Sequence, residues 1–136
     1  MIKSDAQRDR TVAHIKGFRQ ALAKAEQAAP GKRSSAIRGS YESMIRQLEN
    51  ELSEYAQMKS GELNLPQVER LDQLTPFIAK IRIAKGISQT ELARRLGVSK
   101  QVISRYEESE YQTVGIVRLQ EILDAIGVKA LVTITA

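Results

Sequence analysis

Residues 88–108 read SQTELARRLGVSKQVISRYEE. Two helix starts and one forced turn fall inside this span. Ser88-Gln89-Thr90-Glu91 has the form of a capping box. In that motif the Ser hydroxyl accepts from the Glu N–H, and the Glu side chain reaches back to the Ser N–H. Leu92, Ala93 and Leu96 follow at helical spacing and face inward. Gly97 then ends the helix in the left-handed region that glycine enters without steric cost. Val98 plugs the corner, and Ser99 stands as the next N-cap. Ile103 and Tyr106 are the inward positions of a second helix. The spacing predicts helix, tight turn, helix, with the small Ala93 allowing close approach of the pair.

The outward residues at the start of the second helix are Lys100, Gln101, Ser104 and Arg105. Gln101 and Arg105 each present two hydrogen-bonding groups in one plane. That is the chemistry that reads base edges in a major groove, which admits one helix. The first N–H groups of such a helix also suit phosphate. Taken alone, these four residues fit a solvated polar face on a plain helical corner equally well.

Charge is concentrated on the same stretch. Residues 76–105 carry Lys80, Arg82, Lys85, Arg94, Arg95, Lys100 and Arg105 against Glu91, a net of +6. Residues 106–124 carry Arg118 against Glu107, Glu108, Glu110, Glu121 and Asp124, a net of −4. The whole chain of 136 residues has a formal charge of +5, a mild basic balance compatible with a nucleic-acid partner.

The rest of the composition excludes more than it suggests. There is no Cys and one His, His14, so neither disulfides nor metal-ligand spacing arises and no cofactor is expected. No Gly-rich phosphate loop is present, a lone His14 on a helix is a surface or boundary residue, and an enzyme is not expected. No apolar run reaches the ~18–20 residues of a membrane-spanning helix. The expected setting is the reducing cytoplasm.

Two amphipathic helices are predicted upstream, over 8–29 and 34–59, separated by Pro30-Gly31. The second has an apolar stripe at near-heptad spacing, from Ile37 through Tyr41, Met44, Leu48 and Tyr55. A short connection favours an antiparallel helical hairpin over residues 1–60. Two helices with one apolar stripe each need a third surface. The candidates are a second copy, a different protein, or this chain's own C-terminal half.

Residues 61–75 read as a linker with a short helix around Val68, Leu71 and Leu74. Thr75-Pro76 is the N-cap and first position of a helix over 76–85. Val117, Leu119, Ile122, Leu123 and Ile126 mark a last helix closed by Gly127. The segment 128–136 opens VKALVTIT and alternates like a strand. No second strand exists in the sequence to pair it, so the expected partner is the same segment of another copy; the alternative is a frayed tail.

The stretch IRIAKGISQTELARRLGVSKQVISRYE resembles the helix-turn-helix of the Xre/Cro–CI family, which includes lambdoid phage repressors and many antitoxins. The resemblance covers residues 76–127 and implies an all-α, lambda-repressor-like DNA-binding domain. It implies that Gln89 touches phosphate while bracing Gln101 or Lys100. It sets Lys100, Gln101 and Arg105 at base-reading positions, with Ser99 and Ser104 as phosphate or base neighbours. Lys100 is open to either guanine or phosphate. Arg82 and Glu107 fall where the family has a buried structural ion pair. One departure is Glu108-Ser109-Glu110-Tyr111, where the family often has Gly and a Pro-Ser turn.

The expected function is a sequence-specific transcriptional regulator, a repressor acting as a dimer on a palindromic operator. The layout is also similar to HigA-type antitoxins, which implies a toxin partner. A third reading is a protein-binding adaptor whose helix-turn-helix does not bind DNA.

Overall fold

The structure is a computed structural model that describes residues 1–28 and 32–136. The expected break at Pro30-Gly31 lies outside the described residues. Six α-helices form among them: α1 (Asp5–Ala28), α2 (Lys32–Lys59), α3 (Ile78–Ala84), α4 (Gln89–Leu96), α5 (Lys100–Glu108) and α6 (Ile116–Ile126). The protein is all-helical, and the chain divides into two compact units, Met1–Gln57 and Met58–Ala136.

In the first unit, α1 starts three residues earlier than its apolar periodicity indicates. The reason is a cap. Ser4 Oγ accepts from the Gln7 N–H at 3.2 Å, and Gln7 Oε1 accepts from the Lys3 N–H at 2.7 Å. Ser-x-x-Gln is a start signal in its own right. Ile15 and Ile45 are buried, and the Phe18 and Tyr41 rings meet at 5.8 Å. The Tyr55 hydroxyl donates to Asp5 at 3.0 Å, and ion pairs join Arg19 to Glu49 and Arg38 to Glu26. Early residues of α1 therefore touch late residues of α2. Gly17 leaves α1 uninterrupted. Val12, Ile37 and Met44 stay about half exposed, so the apolar stripes extend beyond the surface that buries them.

The second unit departs from expectation between Gly61 and Ile78. No α-helix forms around Leu71. Two short 3₁₀ turns, Leu71–Gln73 and Thr75–Phe77, take its place, and α3 begins only at Ile78. Pro76 bars a continuous α-helix through this segment. It lacks the N–H that an α-helix would send to the Asp72 carbonyl. The Thr75 hydroxyl donates to that carbonyl instead, at 3.2 Å, so Thr75 is buried inside the turn rather than capping α3.

The four remaining helices enclose one core, in which Ile78, Leu92, Ile103 and Ile122 have no exposed surface. Lys85 donates to the Gly127 carbonyl at 2.7 Å and Arg95 to the Ala125 carbonyl at 2.8 Å. Side chains from just after α3 and from α4 thereby satisfy carbonyls that the last turn of α6 leaves open. Val128 packs on the core, but the expected strand over 128–136 does not form. Leu131 and Ile134 are 94% and 92% exposed. A strand is held by its neighbour's hydrogen bonds, and no strand forms among the described residues to supply them.

Two glycines separate backbone need from backbone tolerance. Gly97 has φ 66°, so Gly97→Ala is expected to cost about 1–2 kcal/mol. Gly17 lies mid-helix with nothing near a Cβ, so Gly17→Ala is expected to stabilise the first unit by about 0.5–1 kcal/mol. Urea unfolding of each variant measures both signs.

Candidate nucleic-acid interface

The sharp corner between α4 and α5 follows from its capping residues. Ser88 Oγ accepts from the Glu91 N–H at 3.0 Å. The Glu91 carboxylate does not complete the expected capping box. It receives Arg94 at 2.9 and 2.8 Å and Arg95 at 2.9 Å. Those two guanidinium groups hold its carboxyl down to about 2. After Gly97 turns left-handed, the Gly97 and Val98 N–H groups return to the Arg94 and Ala93 carbonyls at 3.2 and 3.0 Å. Ser99 has the extended backbone of an N-cap, yet its hydroxyl makes no cap bond and the residue stays exposed.

Beneath α5 lies a buried polar cluster. Arg82 meets Glu107 in a fork, Nε to Oε1 at 2.5 Å and Nη2 to Oε2 at 3.0 Å. Arg82 Nη1 also donates to the Ile87 carbonyl at 2.6 Å. Glu107 accepts further from Gln89 Nε2 at 2.8 Å and from the Tyr111 hydroxyl at 3.1 Å. Burial first, and then the Glu107 charge, push the Tyr111 hydroxyl far above its usual range, so it remains a donor. A desolvated ion pair needs this density of hydrogen bonds to be tolerated.

The cluster changes the expected site in one respect. Gln89 is 7% exposed, and its amide braces Glu107 rather than Gln101 or Lys100. The sequence reading also passed over Tyr111, since nothing in the letters shows that a residue after the helix end folds back beneath it.

The outer side of α5 is different in kind. Lys100, Gln101 and Arg105 are exposed and Ser104 is half-buried. None of the four side chains makes a hydrogen bond or ion pair among the described residues. Every other basic side chain of residues 76–105 is engaged. Arg82 holds Glu107, Arg94 and Arg95 hold Glu91, Lys85 holds the Gly127 carbonyl, and Lys80 lies 5.8 Å from the Phe77 ring centre. Lys100 and Arg105 are thus the two cations of residues 76–105 with no partner among the described residues.

A family model described as helix-turn-helix matches residues 78–131. This segment belongs to the Xre/Cro–CI helix-turn-helix family. The match spans under half of the chain and covers α3 to α6. The helix-turn-helix domain is a DNA-binding one, with α4 and α5 as its two namesake helices. No curated protein and no solved structure matches the chain. Among the described residues no helix is long and apolar enough to cross a membrane, and no cluster of His, Cys, Asp or Glu is placed to hold a metal ion.

The Arg82–Glu107 pair makes a strong expectation for stability. Arg82→Ala strands a buried carboxylate and is expected to cost about 3–5 kcal/mol. The double variant Arg82→Met/Glu107→Leu removes both charges and is expected to recover most of that loss. Denaturant midpoints of the two variants measure the difference.

Proposed function

We propose that the protein is a sequence-specific transcriptional repressor that binds a palindromic operator as a dimer in the cytoplasm. The observation that carries this reading is the unpaired trio Lys100, Gln101 and Arg105 on the outer face of α5, above an anchored inner face. Free donors on a helix of fixed orientation are what direct readout requires. Gln101 and Arg105 lie one helical turn apart and read bases; Lys100 reaches guanine or a phosphate. Ser99 and Ser104 contact phosphate or stand beside it. Gln89 is not assigned a DNA contact through its side chain, because that amide is committed inward.

Dimerisation is supported by surface that the single chain leaves uncovered. The segment 128–135 alternates apolar and polar residues and is exposed beyond Val128. Antiparallel pairing of two copies about Leu131 keeps Val128, Ala130, Val132 and Ile134 on one face in both. It also sets Lys129 of one copy opposite Thr133 of the other. A slip by one residue would mix the faces. Two half-sites about one helical turn apart, ~34 Å or a multiple, then follow from the two-fold axis.

A second reading, an antitoxin of the HigA type, is favoured by the half-exposed Val12, Ile37 and Met44 of the first unit. A toxin reading frame beside this gene is the observation that would discriminate it. The adaptor reading loses support, because Glu107 of its acidic patch is neutralised by Arg82 and only Glu108 and Glu110 face solvent.

Selection from a random oligonucleotide pool supplies the operator. Gln101→Ala and Arg105→Ala are each expected to relax preference at one position by about 1–3 kcal/mol. Binding of the selected site as tightly as wild type by both variants would sink the assignment. Leu131→Lys places two cations at the proposed two-fold axis and is expected to give a monomer in light scattering. An intact Leu131→Lys dimer would move the interface to the first unit.

A further inference from the structure

The turn that closes α5 has two successive residues other than glycine at positive φ, Glu110 at 52° and Tyr111 at 59°. L-residues disfavour this region, and they persist in it only where their surroundings over-determine them. Tyr111 supplies that over-determination. Its side chain is enclosed, at 1% exposure, with its ring 6.1 Å from that of Tyr106. Its N–H donates to the Tyr106 carbonyl at 2.7 Å, and its hydroxyl donates to Glu107 at 3.1 Å. One residue thus ties the last turn of α5 three times.

Volume filling alone does not account for this. Phenylalanine would fill the same space, whereas a buried hydroxyl needs a partner. The partner here is the carboxylate through which α5 is joined to Arg82 and Gln89. We propose that Tyr111 is a positioning residue for DNA recognition: its hydroxyl, through Glu107, fixes the rotation of α5 and so the direction of Gln101 and Arg105. The leverage is considerable. A 20° rotation moves groups at a helix's outer radius of ~5–6 Å by ~2 Å. That displacement exceeds what a two-point hydrogen bond to a base edge tolerates.

The inference rests on α5 being the recognition helix, and its test separates the two. Tyr111→Phe in the full chain is compared with wild type on the selected operator and on a scrambled duplex at equal salt. The expected result is about a threefold to tenfold weaker operator affinity, in line with one lost hydrogen bond, with scrambled binding unchanged. Faster amide exchange in the last turn of α5 should accompany it. Glu110→Gly relieves the neighbouring φ without touching Tyr111, so it should slow unfolding and leave the operator-to-scrambled ratio unchanged. If Tyr111→Phe folds poorly, the double variant Tyr111→Phe/Glu110→Gly carries the same comparison. A wild-type ratio in the Tyr111→Phe protein, beside a reduced ratio in Gln101→Ala, would make Tyr111 a core residue only and overturn the proposal. Wild-type ratios in both Gln101→Ala and Arg105→Ala would overturn the recognition-helix reading and this proposal with it.

Discussion

The fork between Arg82 and Glu107 is the constraint around which the helix-turn-helix domain is arranged. Arg82 comes from α3, Glu107 from the end of α5, Gln89 from the start of α4 and Tyr111 from the turn beyond α5. Three helices and the turn that follows the last of them meet at one carboxylate. Apolar packing of Leu92, Ile103 and Ile122 is non-directional and would accept small rotations of each helix. A planar guanidinium facing a planar carboxylate accepts very few. The core supplies the driving force, and the buried pair selects one orientation from the many that the core would permit.

The same economy governs the surface charge. A stretch of sequence with seven cations looks like a diffuse basic patch. In the folded domain five of them hold the domain's own groups, including Glu91 and carbonyls of the last turn of α6 and just beyond it. Arg94 and Arg95 remain near the surface and share the Glu91 carboxylate. Lys100 and Arg105 have no partner among the described residues. On the proposed reading, their free donors are the ones left to meet a polyanion.

Much of this was legible from residues 88–108, because capping and turn chemistry act over four or five residues. Ser88, Gly97 and the inward Ile103 do what their spacing indicates. The Arg82–Glu107 contact became legible only through the family resemblance, since no local rule joins residues so far apart. The misses have specific causes. Pro76 removes one hydrogen bond and bars a continuous helix, and 3₁₀ turns stand where a short helix was expected. Gln89 found a charged partner across the domain, and Glu91 took the two guanidinium groups one turn along its own helix in place of the Ser88 N–H. Strand propensity in 128–135 has no ladder among the described residues to act on. Positive φ at Glu110 and Tyr111 has no signature in the letters, because it is imposed by where the Tyr111 ring is buried.

The moorings of α6 have a consequence for assembly. Lys85 and Arg95 secure the carbonyls at Ala125 and Gly127, and Val128 is seated on the core. The C-terminal segment therefore departs from a fixed point, and the residues after Val128 are exposed. The apolar side chains at 130–134 follow that point closely in sequence and so stay beside the domain. On the proposed dimeric reading, two copies docked on neighbouring half-sites would bring these segments together at high effective concentration, so that operator occupancy and tail pairing would reinforce each other.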